Sequence, residues 1–242
     1  MRRMWTFAKW VLGLALVALL ALVGLRAYDI QRGPPLSVWH TYVPEDLDAG
    51  DLPKLDWNGY LAHEKRLFEE VHRNVVQKIA PEERVASNRY YEGSPVYPGK
   101  FKNDWNRSYT MDPAGPPRGA VVLLHGLTDS PYSLRHVARM YRDRGWAVVA
   151  PRLPGHGTVP SGLSYVDWED WSEATRLAMR EARRRAGDGK PLHLVGFSNG
   201  GALAMKYSLD ALEDKSLPPA ERVVLISPMI GITAFARFAR IF

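Results

Sequence analysis

Apolar positions along this chain fall into three rhythms, and each predicts a different element. Residues 11–25 read VLGLALVALLALVGL, without a charged or hydrogen-bonding side chain. Extended back to Trp5, the run covers 21 residues, interrupted by Thr6 and Lys9. A helix of about 20 such residues crosses the hydrocarbon core of a bilayer. Lys9 lies near one end, where its stem can follow apolar surface to water, and Trp5, Trp10 and Tyr28 suit the interfaces. The second rhythm has a spacing of four: Leu67, Val71, Val75 and Ile79, broadened by Leu61, Phe68 and Val76. It predicts an amphipathic packing helix over 57–80, capped by Asp56 and stopped by Pro81. The third rhythm begins at Arg118. Short apolar runs without alternation, at 119–124, 146–150, 191–195 and 222–226, predict strands buried on both faces. Helical patterns over 132–144, 167–186 (with Asp167 as cap) and from the glycines at 200–201 to 212 separate them. A further early strand is expected within 105–111. Strands alternating with helices of this length imply an α/β fold with a mostly parallel sheet and right-handed crossovers.

These patterns divide the chain into a membrane anchor over 1–28, a linker and packing helix over 29–104, and an α/β core over 105–242. Residues 29–56 hold Gly33, Pro34, Pro35, Pro44, Gly50 and Pro53 and read as an irregular linker. Arg2, Arg3 and Lys9 precede the apolar run; Arg26 and Arg32 follow it, with Asp29 between. This modest bias predicts a cytoplasmic N-terminus and a core domain outside the cytoplasm, on the periplasmic side of a bacterial inner membrane. A cleaved signal peptide is the alternative. The nearest small-x-small site, Leu25-Arg26-Ala27, has a large outer residue, which favours an uncleaved anchor.

Composition narrows the picture by exclusion. The chain of 242 residues is 46% hydrophobic and 24% charged, ordinary values for a globular protein. Its net charge of +6 is scattered, partly before the apolar run and partly at Arg180, Arg183, Arg184 and Arg185 on one helix. No basic stripe interleaves with aromatics, so nucleic acid is not an expected partner. Cysteine is absent, which excludes disulfides, thiolate metal sites and a cysteine nucleophile. His40, His63, His72, His136 and His193 have no metal-ligand spacing, and no phosphate-binding glycine loop occurs, so neither a metal nor an organic cofactor is expected. Tyr90, Tyr91, Tyr97, Phe101 and Trp105 either line a substrate mouth or cover a core edge; the second is the commoner use of such residues.

The candidate chemistry sits at strand ends. Gly196-Phe197-Ser198-Asn199-Gly200 follows the run at 191–195 and opens a small-residue helix. Strand, Gly-x-Ser-x-Gly, helix is the context of a nucleophile elbow, in which a strained turn lifts the serine hydroxyl clear of the sheet. Gly196 and Gly200 lack the side chains that would collide across that turn. A glycine-rich turn with an incidental serine is the alternative when the motif stands alone. Two other strand ends carry unusual residues: His125-Gly126-Leu127 and Gly155-His156-Gly157, the latter within Pro151-Arg152-Leu153-Pro154-Gly155-His156-Gly157.

With these three motifs in this order, the stretch from about 109 to 233 resembles the α/β-hydrolase superfamily. It is most similar to serine hydrolases of the monoacylglycerol lipase, carboxylesterase and serine aminopeptidase type. The resemblance implies Ser198 as the nucleophile that attacks a carbonyl and forms an acyl-enzyme. It implies an oxyanion hole made by the backbone N–H groups of Asn199 and Leu127. It also implies that His125 and His156, with Gly126, Gly155 and Gly157, hold loop geometry rather than act as bases. The expected substrate is a small or lipid-like carboxylic ester, with amide cleavage as the second choice.

The sequence departs from the family's order of serine, acid, histidine, since no histidine follows Ser198. Asp210, Glu213, Asp214 and Glu221 lie on the elbow helix or just beyond it, not at a strand end. Residues 233–242, TAFARFARIF, read as the first turns of an amphipathic lid helix. The expectation is a hydrolase truncated at its C-terminus, lacking lid and final strands, inactive alone and active in a complete parent. The rival is a non-catalytic hydrolase-like protein that binds a lipid or a partner.

Overall fold

The computed structural model of this chain describes residues 2–33 and 35–231. Backbone contacts divide it into two units, Met1–Leu36 and Ser37–Phe242. The first is helix α1 (Arg2–Arg32), of which Trp5–Arg32 is long and apolar enough to cross a membrane by length and composition. At 1.5 Å per residue those 28 residues extend about 42 Å, more than a hydrocarbon core of about 30 Å. Lys9 lies over the Trp5 ring at 4.9 Å and Arg32 over Tyr28 at 4.6 Å. The expected irregular linker from residue 29 is corrected here. No glycine or proline falls between Gly24 and Gly33, so α1 runs through Asp29 to Arg32.

The second unit opens with short helix α2 (Val38–Thr41), a 3-10 turn at Leu52–Lys54, and helix α3 (Trp57–Asn74). The Asp56 side chain accepts the Gly59 N–H at 2.7 Å, as its capping role requires. The expected stripe is buried throughout: Leu67, Val71, Val75 and Ile79 are all under a tenth exposed. The α-helix nonetheless stops six residues before the expected Ala80. Val75 leaves helical geometry (φ −121°, ψ −63°), and a 3-10 turn at Val76–Lys78 continues the path. Two adjacent β-branched valines crowd the preceding turn and favour that exit.

Among the described residues, five strands form one sheet in the order β1-β3-β2-β4-β5. They are β1 (Tyr109–Met111), β2 (Ala120–Leu124), β3 (Ala147–Ala150), β4 (Leu192–Phe197) and β5 (Arg222–Ile226). Pairing is parallel except for β1, which runs antiparallel to β3. Of the early strand expected over 105–111, only the last three residues pair. Helices α4 (Arg135–Asp143), α5 (Trp168–Ala186) and α6 (Asn199–Glu213) connect the strands. The expected helix from 132 begins as a 3-10 turn at Pro131–Leu134.

Alternation along the central strand explains the two-faced core. Ala120, Val122 and Leu124 of β2 pack with Ala178 and Met179 of α5 and Ala204 and Tyr207 of α6. Val121 and Leu123 face the other way, onto Leu134 and Ala138 beside α4. Successive strand side chains point to opposite faces, so a strand covered on both sides must be apolar at every position. Trp57 and Tyr60 of α3, with Leu47 and Leu52 before it, join the α5/α6 side of this core. β5 lies at the end of the sheet, with Val223, Val224 and Ile226 each more than a third exposed. The lid helix expected over 233–242 lies outside the described residues.

Candidate active site

The parallel register that sets Leu124 beside Gly196 brings the ends of β2 and β4 together. Ser198 follows β4 with φ 52° and ψ −114° and begins α6. A side chain on Gly196 would strike the Gly200 carbonyl, and one on Gly200 would strike the carbonyls of Leu124 and His125. The turn is therefore closed to every residue but glycine at both positions. The Ser198 N–H donates to the Ile226 carbonyl at 3.0 Å, and its carbonyl accepts from Gly201 at 3.0 Å and Met229 at 2.9 Å. Backbone strain of this kind persists only where the surroundings over-determine it. The Ser198 side chain is half-buried, and among the described residues its hydroxyl makes no hydrogen bond.

The loop after β2 abuts this elbow. A β-carbon built on Gly126 would lie 3.3 Å from that of Ser198. The Asp129 N–H closes a turn onto the Gly126 carbonyl at 3.3 Å, with Thr128 left-handed at φ 59°. Among the described residues, neither the Leu127 nor the Asn199 N–H donates a hydrogen bond. Asn199 is the first residue of α6, where free N–H groups and the positive helix end coincide. Ser198, Gly126, Leu127 and Asn199 are thus brought together at the carboxyl ends of two adjacent parallel strands.

His125 and His156 stand behind this surface. The His125 ring is wholly buried; Nδ1 donates to the Gly126 carbonyl at 3.0 Å, and Nε2 accepts the Leu153 N–H at 3.0 Å. Accepting at one nitrogen while donating at the other requires the neutral ring. Burial, reinforced by the neighbouring His156, pushes the pKa of His125 from 6.5 down to about 3. His156 donates from Nδ1 to the Pro154 carbonyl at 2.9 Å and lies edge-on to His125 at 4.9 Å. Burial lowers its pKa too. Gly155 and Gly157, both at φ 76°, carry the loop through a left-handed conformation on either side of His156.

A stability prediction follows. Unfolded, His125 takes up a proton as pH falls through 6.5; folded, it resists until about pH 3. Its contribution is therefore complete above pH 6.5 and is lost progressively between those values. The loss should reach about 2 kcal/mol at pH 5. Denaturant titration at pH 7 and pH 5 checks this, and a His125→Gln variant should show a clearly smaller difference between the two.

The loop's remaining anchor was not foreseen from sequence. Arg152 is fully buried; its Nη1 and Nη2 meet Asp46 Oδ2 and Oδ1 at 2.7 and 3.0 Å, and Nε meets Glu64 Oε2 at 3.2 Å. Asp46 also accepts the Gly155 N–H at 2.8 Å, and Tyr60 donates its hydroxyl to the Arg152 carbonyl. Burial opposes the charge of Asp46, but Arg152 outweighs it and holds the carboxyl well below the usual range. An arginine inside the apolar run PRLPGHG was the available signal; its partners, 106 and 88 positions away, were not readable.

A cavity of about 360 Å³ lies beside the loop after β2, bounded by Thr128, Asp129 and Ser130 and by His156 and Thr158 across from them. Tyr90, one of the aromatics in question, is buried in a satellite core with Val71, Val75 and Ile79 and also borders this cavity. Phe101 and Trp105 border another open hollow of about 560 Å³. Among the described residues, no group of three histidine or carboxylate side chains is placed to hold a metal.

Comparison with known proteins bears directly on this geometry. Residues 121–242 match the alpha/beta hydrolase family. A thermostable monoacylglycerol lipase of Bacillus sp. (strain H-257) is 32% identical over 85 residues, 35% of this chain and 33% of that one. A carboxylesterase of Bacillus subtilis (strain 168) is 40% identical over 52 residues, 22% and 21% of the two chains. Among solved structures, one from a study of LipS and LipT, two metagenome-derived lipolytic enzymes, superposes with a TM-score of 0.50 at 27% identity. That superposition covers 57% of this chain and 52% of that one. The chain thus spans a third or less of these curated relatives and about half of the solved enzyme. The match takes in half of the residues of the chain, and the chain belongs to the alpha/beta hydrolase family.

Proposed function

We propose that these residues belong to a membrane-anchored serine hydrolase that cleaves carboxylic esters, lipid-like ones foremost, through an acyl-enzyme on Ser198. The observation that carries this reading is the strained, unpartnered Ser198 beside two unpaired amides. In the reaction, Ser198 Oγ attacks the ester carbonyl as its proton passes to a base. The N–H groups of Leu127 and Asn199 receive the negative charge of the tetrahedral intermediate. Collapse expels the alcohol, and water then releases the acid. Gly196 and Gly200 make the turn possible. His125, Gly126, Gly155, His156 and Gly157 hold the two flanking loops.

The base is not among the described residues at this site. The nitrogens of His125 are both engaged; His156 donates from Nδ1 to the Pro154 carbonyl and its buried Nε2 has no partner among the described residues, so neither ring is hydrogen-bonded to the Ser198 hydroxyl. His193 packs between Trp146 and Tyr141, beside the first paired residues of β4 rather than at its elbow end. We therefore assign the general base and its acid to parts of the protein other than these described residues. The apolar helix α1 supports membrane attachment, and Arg2 and Arg3 at its start, before the apolar run, support a cytoplasmic N-terminus. Similarity to a lipase and a carboxylesterase supports the ester class.

A fluorophosphonate probe tests the reading. Residues 1–242 alone should label at Ser198 slowly, at least about a hundredfold below a complete homologous hydrolase, the general-base contribution being 10²–10⁴. Labelling at the rate of a complete enzyme would refute the assignment of the base. No labelling at Ser198 in any longer form of the protein would favour the non-catalytic binding reading.

A further inference from the structure

α3 and the segment 85–108, with Gly157 and Thr158 of the loop after β3, line a second open cavity of about 360 Å³ that adjoins the first. Its walls are apolar: Phe68, Val71 and Val76 on one side, Tyr90 and Tyr97 on the other. Protein interiors are ordinarily close-packed, and an open apolar space of this size falls in the range of ligand sites. The rim is cationic, and its charges are unequally used. Arg107 is committed, with Nε on Asp104 Oδ2 at 3.1 Å and the guanidinium 3.9 Å from the Phe68 ring centre. Arg73 makes no hydrogen bond or ion pair among the described residues. Arg89 makes one hydrogen bond, to the neutral Asn106 Oδ1 at 3.1 Å.

The acids at the rim do not neutralise these two. Asp104 is taken by Arg107 and by the Asn106 N–H and side-chain amide. Glu69 lies 4.0 Å from Lys65. His72 pairs with Glu92 at 2.9 Å. Arg89 also lies 5.7 Å from the Tyr90 ring centre, so what these two guanidinium groups lack, among the described residues, is a carboxylate partner; over an aromatic pocket they match a molecule with one apolar tail and one compact anionic head. Guanidinium forks favour a carboxylate, which they can meet with two parallel hydrogen bonds.

We propose that this cavity binds a single-chain carboxylate amphiphile, its tail between Phe68, Tyr90 and Tyr97 and its head at Arg73 and Arg89. A neutral lipid would leave the two cations unanswered, and an inorganic anion would leave the aromatic walls open. That such a carboxylate is also what the enzyme releases rests on the ester-hydrolase reading; the binding does not.

Photoaffinity labelling of the whole chain in phosphatidylcholine nanodiscs tests this. The probes are a diazirine-bearing decanoic acid and the matching uncharged alcohol. The acid should label peptides covering 68–76 and 90–97 about tenfold more than the alcohol, the size expected for one lost charge-assisted hydrogen bond. An Arg73→Gln/Arg89→Gln variant, altered at two exposed positions, should drop to the alcohol's level. Labelling of residues 11–25, which reports partition into the disc, should stay unchanged. Equal labelling by acid and alcohol, or undiminished labelling of the variant, overturns the proposal. Ser198→Ala should leave the labelling intact, so failure here and failure of the catalytic reading are separate results.

Discussion

Replacing Ser198 by alanine in a form of the protein that hydrolyses esters should lower turnover by a factor on the order of 10⁵ or more, the scale on which loss of a catalytic serine is felt. The reason is chemical rather than structural. The hydroxyl makes no hydrogen bond among the described residues, so its removal strips no native contact. The amides of Leu127 and Asn199 remain, and with them whatever residual rate an oxyanion site and binding alone provide. A Ser198→Gly variant sharpens the test. Glycine adopts positive φ without penalty, so at φ 52° it should relieve roughly 1 kcal/mol or more of backbone strain. That variant should be as inactive as Ser198→Ala and yet melt higher. Measured turnover beside denaturant midpoints separates the two effects. An active Ser198→Gly protein would end the acyl-enzyme assignment.

The second large effect is expected at Asp46. Asp46→Ala should cost about 3–5 kcal/mol, because it leaves the guanidinium of Arg152 buried without its bidentate partner. Solvent cannot compensate, since Arg152 is 0% and Asp46 5% exposed at the side chain. Arg152→Met alone should be at least as damaging, as it strands two buried carboxylates. The triple variant Asp46→Asn/Glu64→Gln/Arg152→Met should recover much of the loss, since no uncompensated charge remains. Urea denaturation of the chain in micelles, followed by tryptophan fluorescence, reads all of these. Additive losses across the series would show that the three groups do not act as one unit. The sign with pH is fixed by Asp46: its stabilisation is complete above the unfolded carboxylate pKa of about 3.9 and fades below it. Acid-induced loss nearer neutrality therefore belongs to the buried histidines, His125 foremost with His156 and His193 beside it.

Much of the architecture was legible because it rests on local physics. Asp56 and the stripe from Leu67 to Ile79 announce α3, since a cap and a 3.6-residue period need no distant partner. The unalternating runs of β2, β3 and β4 declare burial on both faces. Gly196 and Gly200 declare a turn without room for a β-carbon, so Ser198 could be singled out before any coordinates. Helix ends were less legible: Val75 ends α3 early, and α1 outlasts its apolar run, because frayed turns depend on small differences that packing overrides.

What only the tertiary structure decided is how the segments answer one another. Residues 29–104 looked like a linker with a packing helix, yet Asp46, Tyr60 and Glu64 hold the very loop that carries Gly155, His156 and Gly157. His125 was a histidine next to a turn; its neutrality follows from an amide 28 residues on. Sequence period and glycine placement report what a residue's neighbours in the chain require. Ion pairs and hydrogen bonds between positions so far apart in the chain carry no period, since chain folding, not chain order, brings those charges into contact.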